Sequence, residues 1–186
     1  MDLDTMKMNP SIRVRDDDVM VHSSGFNDEE CVERFKRVHE IIVEGGALHV
    51  PAILITEILD FSDVIVFIRQ ETLAGRMEPQ WHGWKHVDYA KIPQEQIERE
   101  IKMSQTRFRE WFGRGFTKFY TPWGADASHI NDACNRQKVH MVTCADIVRC
   151  VHVNREPEKF RGKDVEILIH WWEGVGRLEK ALGRLQ

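Results

Sequence analysis

The chain lacks any long apolar run: no window approaches the ~18 consecutive apolar residues that a membrane-crossing helix needs, so no span is expected. It also lacks a basic excess. Its 26 Lys and Arg against 30 Asp and Glu give a formal charge of −4 and a pI near 6.1. The cations are spread rather than clustered, so nucleic acid is not an expected partner. Cys31, Cys134, Cys144 and Cys150 form no CxxC pair, which argues against a zinc knuckle or a thioredoxin-like site and leaves buried free thiols as the expectation. The opening MDLDTMKMNP has no apolar core of the kind a secretory leader carries, and the compartment it points to is the cytoplasm. With 42% hydrophobic and 30% charged residues and no Pro, Ser or Gln excess, the chain can bury a core. Its 186 residues fit one domain, 1–186.

What is present is an alternation of strand-like and helix-like segments. SIRVR (11–15) alternates as a strand and runs into Asp16-Asp17-Asp18. From 27 to 44 the apolar residues Cys31, Val32, Phe35, Val38, Ile41 and Ile42 recur at helical spacing, with Asn27 or Asp28 as N-cap and Gly45-Gly46 as the stop. ALHVPAILI (47–55) and VIVFIR (64–69) are short, β-branched apolar runs that read as buried parallel strands. A helix over 94–112 follows Pro93, with Ile97, Ile101, Phe108 and Trp111 along one face. FTKFY (116–120) as strand, 127–137 as helix, 139–144 as strand, a polar stretch over 154–164, VEILIH (165–170) as strand and 173–185 as helix complete the chain. Such alternation predicts an α/β fold with a parallel sheet covered by helices. In such sheets ligands bind beyond the carboxyl ends of the strands, where the aspartate run, His82 with His86, Tyr120 to Gly124, and His170 would all emerge.

These residues suggest a metal. Zinc is commonly held by imidazole nitrogens and a carboxylate oxygen, and Asp18, His82 and His86 would supply one carboxylate and two imidazoles. The HxxxH spacing alone also fits two histidines on a solvated face. Three consecutive acids repel unless a cation or a shared proton relieves them, although a solvated loop or a helix cap would explain them too. His170 closes a buried strand and is either a structural residue bonded to a carbonyl or, beside a metal, a proton donor. The tryptophans read as core, with Trp123 or Trp171 as the alternative sugar-stacking platform.

The order of these pieces resembles the polysaccharide deacetylase superfamily, the carbohydrate esterases that remove acetyl groups from sugars. A strand ending in Asp-Asp, a His-xxx-His segment, an aromatic residue followed by Pro-Trp-Gly, and a Leu-x-His occur in that order over 12–170. The resemblance implies a distorted (β/α) barrel with fewer than eight strands. With Val19 in the family's usual glycine position, it implies Asp17 as catalytic base, Asp18 with His82 and His86 as metal ligands, and His170 as general acid. Tyr120, Pro122, Trp123 and Gly124 then match the substrate-groove motif. Two departures stand out. Tyr120 occupies the place where the family commonly has an arginine that orients the catalytic aspartate, and the family's aspartate-tryptophan motif is not evident in VTCADIVR.

The function so implied is metal-dependent hydrolysis of an acetyl group, N-acetyl rather than O-acetyl, from a sugar or sugar conjugate, with a divalent ion, zinc, as cofactor. A nucleotide-linked or lipid-linked N-acetyl sugar fits a cytoplasmic address. The alternatives are a catalytically impaired carbohydrate-binding protein on the same fold, or a metal-dependent hydrolase of another amide.

Overall fold

The computed structural model describes residues 12–20, 27–142, 150–152, 165–172 and 175–185. Strand and helix alternate as β1 (Ile12–Val19), α1 (Asp28–Glu44), β2 (Leu48–Leu54), α2 (Ile55–Ile58), α3 (Ser62–Leu73), β3 (Gln80–Gly83), α4 (Gln94–Phe112), β4 (Lys118–Tyr120), α5 (Ser128–Arg136), β5 (His140–Val142), β6 (Cys150–His152), β7 (Val165–His170) and α6 (Val175–Leu185). Every strand pair is parallel, and the order across the seven-stranded sheet is β5-β4-β3-β2-β1-β7-β6. Parallel neighbours need crossover connections, which the helices supply. The architecture is a distorted (β/α) barrel with fewer than eight strands, as the resemblance implied.

Local chemistry explains most boundaries. Asn27 caps α1 through a reciprocal pair: its side chain accepts from the Glu30 amide at 3.0 Å, and its own amide donates to the Glu30 carboxylate at 2.9 Å. Gly45 closes the helix. α4 starts after Pro93 and stops at Gly113, whose φ of 75° is the left-handed conformation that ends helices. The large core joins Trp81 and Phe119 of the sheet to Ile97 and Phe108 of α4 and Ile130 of α5. A second cluster joins Val14, Ile167 and Ile169 to Ile41 and Ile42 of α1 and Leu178 and Leu182 of α6. β1 and β7 are therefore held between helices on one side and the cleft on the other.

VIVFIR (64–69) corrects the expectation: it lies inside helix α3, not in a strand. Val64 and Ile68, four apart, are fully buried, while Val66 is 53% exposed. That is the signature of one helical face, and an apolar run of this length cannot by itself separate buried strand from buried helix. The strand beside β2 is QWHG instead, with Trp81 opposite Ile53. Ser11 of SIRVR, residues 143–149, which hold Cys144 and most of VTCADIVR, the polar stretch 154–164 and residues 173–174 lie outside the described residues.

Candidate metal centre and catalytic cleft

β1 is the central element of the site because a break in its regularity turns two adjacent acids to one side. Side chains alternate across a regular strand, so Asp17 and Asp18 would face opposite ways. Instead the β1–β2 register slips between Asp16, opposite Pro51, and Val19, opposite Ile53. Three residue steps on β1 match two on β2, and Asp18 adopts a left-handed φ of 58°. A bulge of this kind re-aims a side chain. Asp17 and Asp18 both line the cleft, whereas Asp16 is fully buried beside His49, with its carboxylate 3.7 Å from the imidazole Nε2. A left-handed conformation in a non-glycine residue costs on the order of 1 kcal/mol or more, least for Asp and Asn, which the surrounding structure must hold.

The two histidines come from β3 and the loop after it. Gly83 permits this: its φ is 129°, and a Cβ there would lie 2.9 Å from the Tyr89 ring and hydroxyl. His82 Nε2 is 3.0 Å and His86 Nε2 2.9 Å from the same Asp18 oxygen, Oδ1. The three ligand atoms lie within 4.8 Å of one another. His82 Nδ1 donates to the Tyr120 carbonyl at 2.7 Å, which in a neutral ring leaves Nε2 as a lone pair aimed at a carboxylate oxygen. Two acceptors at that distance need a cation or a proton between them. Burial and the neighbouring His82 hold His86 below the ordinary imidazole range despite the opposing pull of Asp18. That keeps it in the neutral form a metal requires. Burial works to raise the Asp18 carboxyl, but a proton shared with His82 and the positive charge that His82, His86 and His170 carry when protonated outweigh it and hold the group below the usual carboxylate range. A divalent ion with nitrogen and oxygen preferences fits this donor set.

His170 is opposite Asp17 in the β1–β7 register, and its Nε2 is 3.9 Å from Asp18 Oδ2. Its ring stacks on Trp172 at 4.8 Å. The cleft encloses about 530 Å³, and Trp123 and Trp172 stand along it. Trp123 is 75% exposed, with its ring edge against His86 at 4.5 Å. Trp171, the alternative platform suggested by sequence, is fully buried and faces away from solvent; Trp172 is the cleft residue. Pro122 is buried, Gly124 lines the cleft, and the Tyr120 phenol is buried with its hydroxyl donating to Glu166 at 3.0 Å.

Arg15 escaped the sequence reading. It is 5% exposed, its Nη2 donates to Asp17 Oδ2 at 3.1 Å, and its Nε lies 3.0 Å from Oδ1. The guanidinium rests 4.5 Å over the Tyr120 ring, with Glu166 3.6 Å from Nη1. The signal was available: Arg15 and Asp17 are two apart on one strand and so share a face.

A polysaccharide deacetylase family model matches residues 66–142, the stretch that holds His82, His86 and Pro122-Trp123-Gly124. Among solved structures, a family 4 carbohydrate esterase from Streptomyces lividans superposes with a TM-score of 0.67 at 16% identity, covering 96% of this chain and 86% of that one. A peptidoglycan N-acetylglucosamine deacetylase gives 0.69 at 14%, covering 95% and 82%. A family 4 pseudoenzyme from Bacillus anthracis gives 0.69 at 12%, covering 97% of this chain and 61% of that one. No curated protein matches. Residues 66–142 thus match the polysaccharide deacetylase family model, and the fold over nearly the whole chain is similar to that of family 4 carbohydrate esterases. Among the described residues no helix is long and apolar enough to cross a membrane.

Proposed function

We propose that this chain is a metal-dependent hydrolase that removes an acetyl group, N-acetyl in preference to O-acetyl, from a sugar or sugar conjugate. The observation that carries the reading is the convergence of Asp18, His82 and His86 on one point, with Asp17 and His170 side by side on β1 and β7 and both lining the cleft. A divalent ion held by these three residues, zinc by donor chemistry, supplies Lewis-acid polarisation of the acyl oxygen and a lowered pKa for water. Asp17 accepts the proton of the attacking water, with its carboxylate held by the Arg15 fork so that it cannot turn toward the ligands. His170, steadied by stacking on Trp172, donates a proton to the departing amine or alcohol. Trp123 and Trp172 offer flat apolar faces to a sugar ring.

The experiment is acetate release from N-acetylated and O-acetylated sugars by chelator-stripped protein, with and without added zinc or cobalt. Metal-dependent release supports the reading. Sugar binding without release under every metal condition would instead mark a carbohydrate-binding protein on this fold, the reading that Tyr120 in place of the family arginine favours. Release from non-sugar acetamides alone would mark a hydrolase of another amide.

A further inference from the structure

The left-handed turn at Asp18 is what brings its carboxylate to the histidines, and its backbone is held from the end of the neighbouring strand, β7. The indole Nε1 of Trp171, fully buried, donates to the Asp18 carbonyl at 3.0 Å across 153 positions of sequence. Trp171 is itself fixed from α1, where Arg34 Nε donates to its carbonyl at 3.2 Å and Arg34 Nη2 to that of Trp172 at 3.0 Å. The Trp171 ring meets Trp172 edge-on at 5.6 Å, and Trp172 in turn stacks on His170. One side chain therefore touches the backbone at the Asp18 end of β1 and backs the ring that stacks on His170.

We propose that Trp171 is a positioning residue for the metal site: its indole N–H holds the Asp18 backbone in the left-handed turn and so aims the carboxylate at His82 and His86. This rests on the assignment of Asp18 as a ligand. The bulge alone does not secure that conformation, because the slip between Asp16 and Val19 leaves the Asp18 carbonyl outside the regular β1–β2 ladder, and the indole is the donor that takes it up. Partners that orient ligands commonly change metal affinity by about 10–100-fold when removed.

The test uses metal-stripped full-length protein titrated with zinc or cobalt alone, in the wild type, Trp171→Phe, and a variant with benzothienylalanine at 171. The last keeps the bicyclic volume and replaces N–H by sulfur. The expected result is a metal affinity about tenfold weaker or more in both variants, with the cobalt absorption band altered and folding intact at the temperature of the titration. A merely structural tryptophan would lower the melting temperature in the phenylalanine variant and leave the affinity and band of the benzothienyl variant at wild-type values; that outcome overturns the proposal while leaving the metal site standing. Failure of the wild type to bind either ion overturns both.

Discussion

Arg15→Met gives the sharpest consequence of the cleft's electrostatics. Arg15 and Asp17 form a pair whose side chains are 6% and 11% exposed, joined by one hydrogen bond of 3.1 Å and a second close contact of 3.0 Å. Methionine fills much of the volume but leaves Asp17 as a nearly buried carboxylate with no cation against it. Breaking one side of a buried pair costs about 3–5 kcal/mol, because the remaining charge stays desolvated. Glu166 loses a contact at 3.6 Å too, but it keeps the Tyr120 hydroxyl and, at 3.8 Å, Lys118. Loss of the guanidinium over the Tyr120 ring, 4.5 Å away, adds about 1 kcal/mol. Asp17 is close enough to solvent in the cleft to relax part of this, so about 3 kcal/mol is expected from urea unfolding of the metal-stripped protein. Arg15→Lys keeps the charge without the fork and should lose about half as much. The same variants should lower kcat more than they raise KM, because the base is misoriented rather than the sugar lost. A stability change below about 0.5 kcal/mol with unchanged kcat, the range of surface substitutions, would show that the Arg15 guanidinium does not hold Asp17.

Gly83→Ala should destabilise by about 3 kcal/mol, because φ is 129° and the new Cβ meets a Tyr89 ring that cannot withdraw: its hydroxyl accepts from Trp84 N–H at 2.7 Å and donates to Glu100 at 2.8 Å. Thermal melts would read this directly. Trp123→Ala should leave stability within about 0.5 kcal/mol, since the ring is 75% exposed, yet raise KM for a sugar substrate about 2–10-fold from lost stacking. Burial holds His49 well below, and His39 below, the ordinary imidazole range, although Glu71 opposes the shift at His39. The folded forms then resist a proton that the unfolded chain accepts below about pH 6.5, so stability is complete above that pH and falls as pH drops, by up to about 1.4 kcal/mol per unit per histidine. His49→Gln should flatten that slope in urea titrations of metal-stripped protein between pH 7.5 and 5.5; an unchanged slope would contradict it.

Much of this site was legible because its residues stand at strand ends, where residue type and order survive without geometry. Asp18 is 64 positions from His82 in sequence, yet it stands at the end of β1 and the two histidines at and just beyond the end of β3, and the topology brings them together. Arg15 was less visible because an arginine inside a strand-like SIRVR reads as a solvated residue until its i+2 partner is known to face a cleft. Trp171 and Trp172 exchanged roles for a similar reason: their alternation depends on where β7 ends, and a shift of one residue reverses which ring is buried. VIVFIR reads as strand from its β-branched content, while tertiary packing of Val64 and Ile68 decides for helix. The bulge at Asp16 to Val19 has no mark in residue type: three adjacent aspartates read the same on a regular strand as on a bulged one.

In the proposed function, Asp18, His82 and His86 hold one catalytic ion with Asp17 as the base beside it. The most direct measurement is acetate release from an N-acetylated sugar as metal-stripped protein is titrated with zinc or cobalt, in the wild type, Asp18→Asn and Asp17→Asn. The account predicts activity that rises with bound metal and saturates at about one equivalent, metal binding lost in Asp18→Asn, and metal binding retained with acetate release abolished in Asp17→Asn. A wild type that takes up no metal, or an Asp17→Asn variant that releases acetate at the wild-type rate, would contradict it.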